Sequence, residues 1–86
     1  MSYTVDWKEA AVTALWRIRA QDPHAAITVA AAVASLTDEP RPADSRRLGG
    51  TEFLRMRIGT YRVMYEIDDA RSAIIVHNVG RVPAGS

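Results

Sequence analysis

The sequence predicts an α+β fold of order β-α-α-β-β-β, with an antiparallel sheet packed against an N-terminal helical hairpin. Three observations carry this. Apolar residues recur at helical spacing in two adjoining stretches between residues 7 and 37, separated only by "QDPH". Alternating apolar residues run on both sides of Gly59-Thr60, over residues 52–58 and 61–67. A third alternating stretch, residues 72–82, follows a short polar break. Eighty-six residues, with no repeat and no linker, fit a single domain spanning residues 1–86.

The first element is a short strand, "SYTV", ended by Asp6. "DWKE" then reads as a capping box: Asp6 accepts from first-turn amides and Glu9 reaches back. Trp7, Ala11, Ala14, Leu15 and Ile18 form the apolar stripe of a helix ending near Ala20. Asp22 restarts a helix as N-cap, with Pro23 at its first position, where the missing N–H costs nothing. Ala26, Ile27, Ala30, Val33, Ala34 and Leu36 or Thr37 carry the second stripe until Pro40 forbids continuation. So short a break between helices predicts an antiparallel hairpin, and the alanines at 30, 31, 32 and 34 permit close approach. "DEPRPADSRRLGG" is a polar loop punctuated by proline and glycine.

The totals exclude several function classes. The hydrophobic fraction is 48% and the charged fraction 24%, values of an ordinary globular chain rather than a disordered one. No apolar run is long enough for a membrane helix, and the first ten residues lack the pattern of a signal peptide. With no cysteine and two distant histidines, no metal or other cofactor is expected, and a cytoplasmic location is. The net charge of +1 conceals an uneven distribution. Residues 40–65 hold six arginines against Asp44 and Glu52, while residues 1–39 are net acidic. One third of the chain therefore carries the positive field, which attracts phosphates or acidic partners.

The facing of these arginines follows from pairing. A two-residue loop at Gly59-Thr60, glycine first, suits a type II′ turn. It sets Ile58 against Tyr61, Arg57 against Arg62, Met56 against Val63, Arg55 against Met64 and Leu54 against Tyr65. Alternation then places Leu54, Met56, Ile58, Tyr61, Val63, Tyr65 and Ile67 under the helices. Arg55, Arg57, Arg62, Met64 and Glu66 face the other way. Two guanidinium groups directly opposed on a sheet cost up to about 1 kcal/mol, a cost that a bridging anion converts into binding energy. Extended through a four-residue loop, Asp68 to Arg71, the register pairs Ile67 with Ser72 and Arg62 with His77. Ile74 and Val76 then join the covered face and His77 the arginine face. Gly80 suits a bulge or bend, so the facing of Arg81 and Val82 stays open. His24 reads as a surface residue, Trp7 and Trp16 as core or partner-interface residues, and Arg46 and Arg47 as a loop pair open to solvent or phosphate.

"RRLGGTEFLRMRIGTYRVMYEIDD" followed by "IIVHNVGR" resembles the signature of RelE/ParE-superfamily toxins of type II toxin-antitoxin systems, RelE-like in its details. The shared features are a leucine-glycine loop, an arginine-rich strand, a "G-x-Y-R-V-x-Y" hairpin and a last strand with a basic end. The resemblance covers nearly the whole chain and implies the fold already reached from pairing. It implies a ribosome-dependent mRNA endoribonuclease that inhibits translation. The ribose 2′-hydroxyl attacks its own 3′-phosphate, without a metal, and a cyclic phosphate is left. By motif position Arg55, Arg57 and Arg62 are implied to bind RNA and stabilise the phosphorane-like charge, and the loop pair Arg46 and Arg47 is expected to extend the RNA contact. His77, set opposite Arg62 by the pairing above and with Glu66 on its face, and Arg81, next to the family's basic position, are the further catalytic candidates. The sequence departs from the pattern at its end, where "VGRVPAGS" supplies no tyrosine. That departure keeps two alternatives: a ParE-like toxin that binds DNA gyrase, or a catalytically weakened toxin acting as antitoxin partner and co-repressor. The implied partners are a cognate RelB-like antitoxin, the ribosome and mRNA, and operator DNA reached through the antitoxin complex.

Overall fold

The computed structural model describes residues 2–82. Seven elements follow in chain order: β1 (Thr4–Trp7), α1 (Glu9–Gln21), α2 (Pro23–Ser35), β2 (Ser45–Arg47), β3 (Phe53–Ile58), β4 (Tyr61–Asp68) and β5 (Ala73–Arg81). They form one five-stranded mixed sheet of order β1-β5-β4-β3-β2, with both helices on one face. β2 to β5 are an antiparallel meander, as expected, with β2 an additional strand inside the predicted loop. β1 pairs with β5 in parallel, Thr4 beside Ala73 through Trp7 beside Val76. The helical hairpin carries the chain across the sheet before β5 returns alongside β1, so this edge of the sheet is parallel.

The pairing of β1 also corrects the predicted start of α1. Asp6 and Trp7 lie in the strand, the Lys8 N–H donates to the Val76 carbonyl at 2.9 Å, and Lys8 is the N-cap with no side-chain cap. A ladder to β5 thus displaces the capping box that local sequence favours. α2 begins as predicted: Pro23 occupies its first turn and the Asp22 carboxylate accepts from the Ala25 N–H at 3.1 Å. Its buried stripe is Ala26, Val29 and Val33, continued by Leu36, whereas Ile27 points outward and is 68% exposed. The reason is the position of the sheet, which lies under the Val29 side of the helix. Trp16 is also exposed, with the Arg19 guanidinium 4.9 Å from its ring centroid.

The core is the layer between helices and sheet. Met56, Val63, Tyr65, Ile74, Val76 and Val79 meet Ala11, Ile18, Ala26, Val29, Val33 and Leu36, and no polar or charged residue among those described is buried. Tyr65 is fully buried, and its hydroxyl donates to the Pro40 carbonyl at 2.8 Å, tying the α2–β2 connection to the sheet. Arg41 and Tyr3 both reach Asp69, at 3.1 and 2.6 Å, and hold the same connection from outside. The Tyr3 hydrogen bond and the Arg41 cation keep the Asp69 carboxyl below its ordinary range.

The β3–β4 register is the predicted one at every pair from Leu54–Tyr65 to Ile58–Tyr61. Gly59 has φ +58° and Thr60 is outside the left-handed region, the pattern of a turn with glycine first. The β4–β5 register differs. Ile67 pairs with Ile74 and Asp68 with Ala73, because the loop comprises residues 69–72 and Ser72 takes a left-handed φ of 52°. Between Met64–Asn78 and Tyr65–Val76 the ladder shifts by one, leaving His77 as the extra residue of a β-bulge. The bulge therefore falls three residues before Gly80, where it was expected. It reverses the alternation, so that Val79 rather than Asn78 enters the core.

Candidate functional site: an arginine cluster on the open sheet face

The open face carries a cavity of about 240 Å³ lined by Asp44, Arg46, Arg55, Arg57, Arg62 and Val82. Each arginine is placed by strand alternation. Arg55 and Arg57 are two residues apart on β3, Arg62 lies directly across from Arg57, and Arg46 lies directly across from Arg55. Two cross-strand pairs of like charge are thus set side by side. Among the described residues none of the four forms an ion pair; the bridges present are Arg41–Asp69, Arg71–Asp68 and His77–Glu66. The Arg57 Nε–H donates to the Gly59 carbonyl at 3.3 Å, which leaves its terminal nitrogens free to point outward. The facing Arg57–Arg62 pair keeps nine guanidinium N–H donors for a ligand, on a cavity with Asp44 as its one carboxylate, an arrangement suited to bidentate capture of phosphate oxygens.

The remaining site candidates are dispersed. Arg47 pairs with Leu54, so its side chain lies on the side opposite Arg46, in a recess with Arg41, Glu52 and Asp69. Adjacent arginines in a strand cannot share a face, and the three-residue β2 was too short to announce itself by periodicity. Arg81 pairs with Tyr61 and lines a groove against α1 with Arg17 and Gln21, away from the cluster. The bulge at His77 is what turns it there. Arg62 faces Gly80, not His77. His77 stays on the open face, but further along it, where Nε2 lies 3.0 Å from Glu66 Oε1 and the ring meets Phe53 edge-on at a centroid distance of 4.8 Å. Phe53 and Asn78 belong to this face and were not singled out from the sequence. The signal for Asn78 was the spacing of Ile74, Val76 and Val79, which breaks strict alternation.

Comparison with known proteins agrees with this architecture. The family model of ParE toxins of type II toxin-antitoxin systems, parDE, matches residues 5–81. The chain belongs to that family, and with its structural neighbours it is a type II toxin-antitoxin toxin of the RelE/ParE superfamily. The archaeal RelE–RelB complex from Pyrococcus horikoshii OT3 is similar at 26% identity, TM-score 0.81, over 99% of this chain and 100% of that one. The RelBE2 toxin-antitoxin complex of Mycobacterium tuberculosis is similar at 25% identity, TM-score 0.80, over 94% and 99%. The chromosomal ParDE system of P. aeruginosa shares the fold at 12% identity, TM-score 0.79, over 95% and 98%. No curated protein matches the chain. Among the described residues no helix is long and apolar enough to cross a membrane.

Proposed function

We propose that the protein is a toxin whose open sheet face binds and cleaves messenger RNA on the ribosome, and that a cognate RelB-like antitoxin neutralises it. The observation that carries this reading is the double pair, Arg46–Arg55 and Arg57–Arg62, opposed across strands with none of the four in an ion pair among the described residues and Asp44 the one carboxylate on the cavity lining. A surface that only had to be soluble gains nothing from such pairs, since each weakens the sheet. A phosphodiester seated between Arg57 and Arg62 removes that repulsion. As the 2′-hydroxyl oxygen attacks the adjoining phosphorus and the 5′-oxygen departs, the equatorial oxygens gain charge, and the same guanidinium groups stabilise it. One proton leaves the 2′-oxygen and one reaches the 5′-oxygen. The register sets Gly80 and not His77 opposite Arg62, so His77, held by Glu66 further along the face, is assigned no proton transfer at a phosphodiester between Arg57 and Arg62. Arg81, which lies off the cluster, takes no part in the chemistry here.

The antitoxin follows from kinship, since similar toxins were solved as complexes with theirs. An acidic segment of that antitoxin laid over the arginine face would shut the site, and the complex would reach operator DNA through the antitoxin. The test is induced expression in a bacterial host, with growth scored and 5′ ends of messages mapped, for wild type and Arg62→Ala. The expected result is arrest with in-frame cleavage that Arg62→Ala abolishes. Undiminished cleavage is expected of a His77→Gln variant, and its loss would return His77 to the chemistry. A second reading, a toxin that poisons DNA gyrase by binding, is favoured by the ParE description of the matching family. Arrest with uncut messages and damaged DNA would establish it instead.

A further inference from the structure

A second cavity, of about 320 Å³, adjoins the arginine cavity and shares Arg55 and Arg62 with it. Its other walls are Leu48, Met64, Asn78 and Gly80. We propose that it is a nucleobase subsite, holding the base of the nucleotide whose phosphate lies on the arginines; this rests on the phosphate-binding reading above.

Three features point to a planar, edge-polar ring. Leu48 and Met64 give the cavity an apolar floor, and the methionine thioether packs favourably on π-systems. Arg55 and Arg62 present guanidinium planes that can stack on a base while their outer nitrogens hold phosphate. The Asn78 side-chain oxygen accepts from the Val79 N–H at 2.9 Å, which fixes the amide and leaves its NH₂ as a double donor at the rim. A donor there suits a ring carbonyl or ring nitrogen on the base edge. The cavity exists because the His77 bulge sets Gly80 opposite Arg62, and a Cβ added at Gly80 would meet nothing within 4 Å. Both features come from the fold of this chain's last strand. A base is joined to its phosphate by one ribose, so its pocket must touch the phosphate site, as this one does through two shared side chains.

The test compares two small ligands by calorimetry at low salt: adenosine 3′,5′-bisphosphate, and the same ribose bisphosphate with hydrogen in place of the base. Wild type is expected to bind the adenosine compound about fivefold to tenfold more tightly, the gain of one ring packed on a thioether floor. Gly80→Leu fills the open space with an uncharged side chain set beside Arg62 across the β4–β5 ladder. It should erase this ratio, and the base-free ligand, which reads any shift of the neighbouring Arg62, should stay within about twofold of wild type because no cation is removed. Asn78→Ala should lower the ratio, and the Met64 methyl resonance should shift only with the adenosine ligand. Equal binding of the two ligands by wild type, or a ratio that survives Gly80→Leu, overturns the base subsite and leaves the phosphate site standing. Failure of wild type to bind either bisphosphate overturns the phosphate reading and this subsite with it.

Discussion

Arg62 and Val63 are neighbours in β4, and they belong to two surfaces built on opposite principles. The covered face closes around Val63, which is fully buried, with no unpaired polar side-chain atom left inside among the described residues. Apolar burial of this kind stabilises by roughly 1.5–3 kcal/mol for each large side chain. On the open face the side chain of Arg62 stands across from another arginine and, among the described residues, is in no ion pair. The first surface stores the stability of the fold, and the second spends a little of it to hold positive charge in place. The same strand alternation that makes the core therefore also makes the site. Arginines spaced by two must share a face, just as valines spaced by two do.

This contrast is open to measurement. The largest effect belongs to the covered face: Tyr65→Ala should lose about 3–5 kcal/mol of stability in urea unfolding, the range for aromatic truncation in a packed core. On the open face, Arg57→Glu should do the reverse. An opposed pair of cations becomes an ion pair with Arg62, and the sheet should gain roughly up to 1 kcal/mol, less at high salt. The same variant should lose toxicity and RNA binding, a combination of more stability and less function that a structural role for Arg57 would not produce. Tyr65→Phe is subtler. It keeps the ring and deletes only the 2.8 Å hydrogen bond to Pro40, for a loss of about 1 kcal/mol with binding unchanged.

Two pH effects complete the series. Burial raises the Tyr65 hydroxyl above its ordinary value of 10.0, so the folded chain holds that proton more tightly than the unfolded one. Its contribution is complete below about pH 10 and is lost as pH rises through the folded value. Tyr65→Phe should therefore flatten the alkaline limb of the stability curve. The smallest effect is at Asp69, held down by the Tyr3 hydroxyl and Arg41. Its sign is opposite: the contribution is present above about pH 4 and fades as pH falls through the lowered folded value. Urea midpoints for Asp69→Asn and wild type should differ at neutral pH and converge in acid.

Much of this was legible in the residues. Gly59-Thr60 set the β3–β4 register, and with it the facing of Arg55, Arg57 and Arg62 and the opposition of Arg57 to Arg62. Asp22 and Pro23 announced the start of α2. These signals are local: a turn of known type, a cap, and periodicity over six or more residues. Tertiary structure decided the rest. Only pairing with β5 could draw Asp6 and Trp7 out of the first helix, and only the sheet beneath α2 could choose Val29 over Ile27. Only a three-residue strand beside β3 could send Arg46 into the cluster and Arg47 to the other side. The His77 bulge governs the last strand, turning Arg81 away and placing Gly80 opposite Arg62. Each of these depends on which distant backbone offers its hydrogen bonds, and a bulge of one residue reverses every side chain beyond it. Sequence alone therefore determined the two faces and the core of the charge cluster, while long-range pairing decided which further residues could reach it.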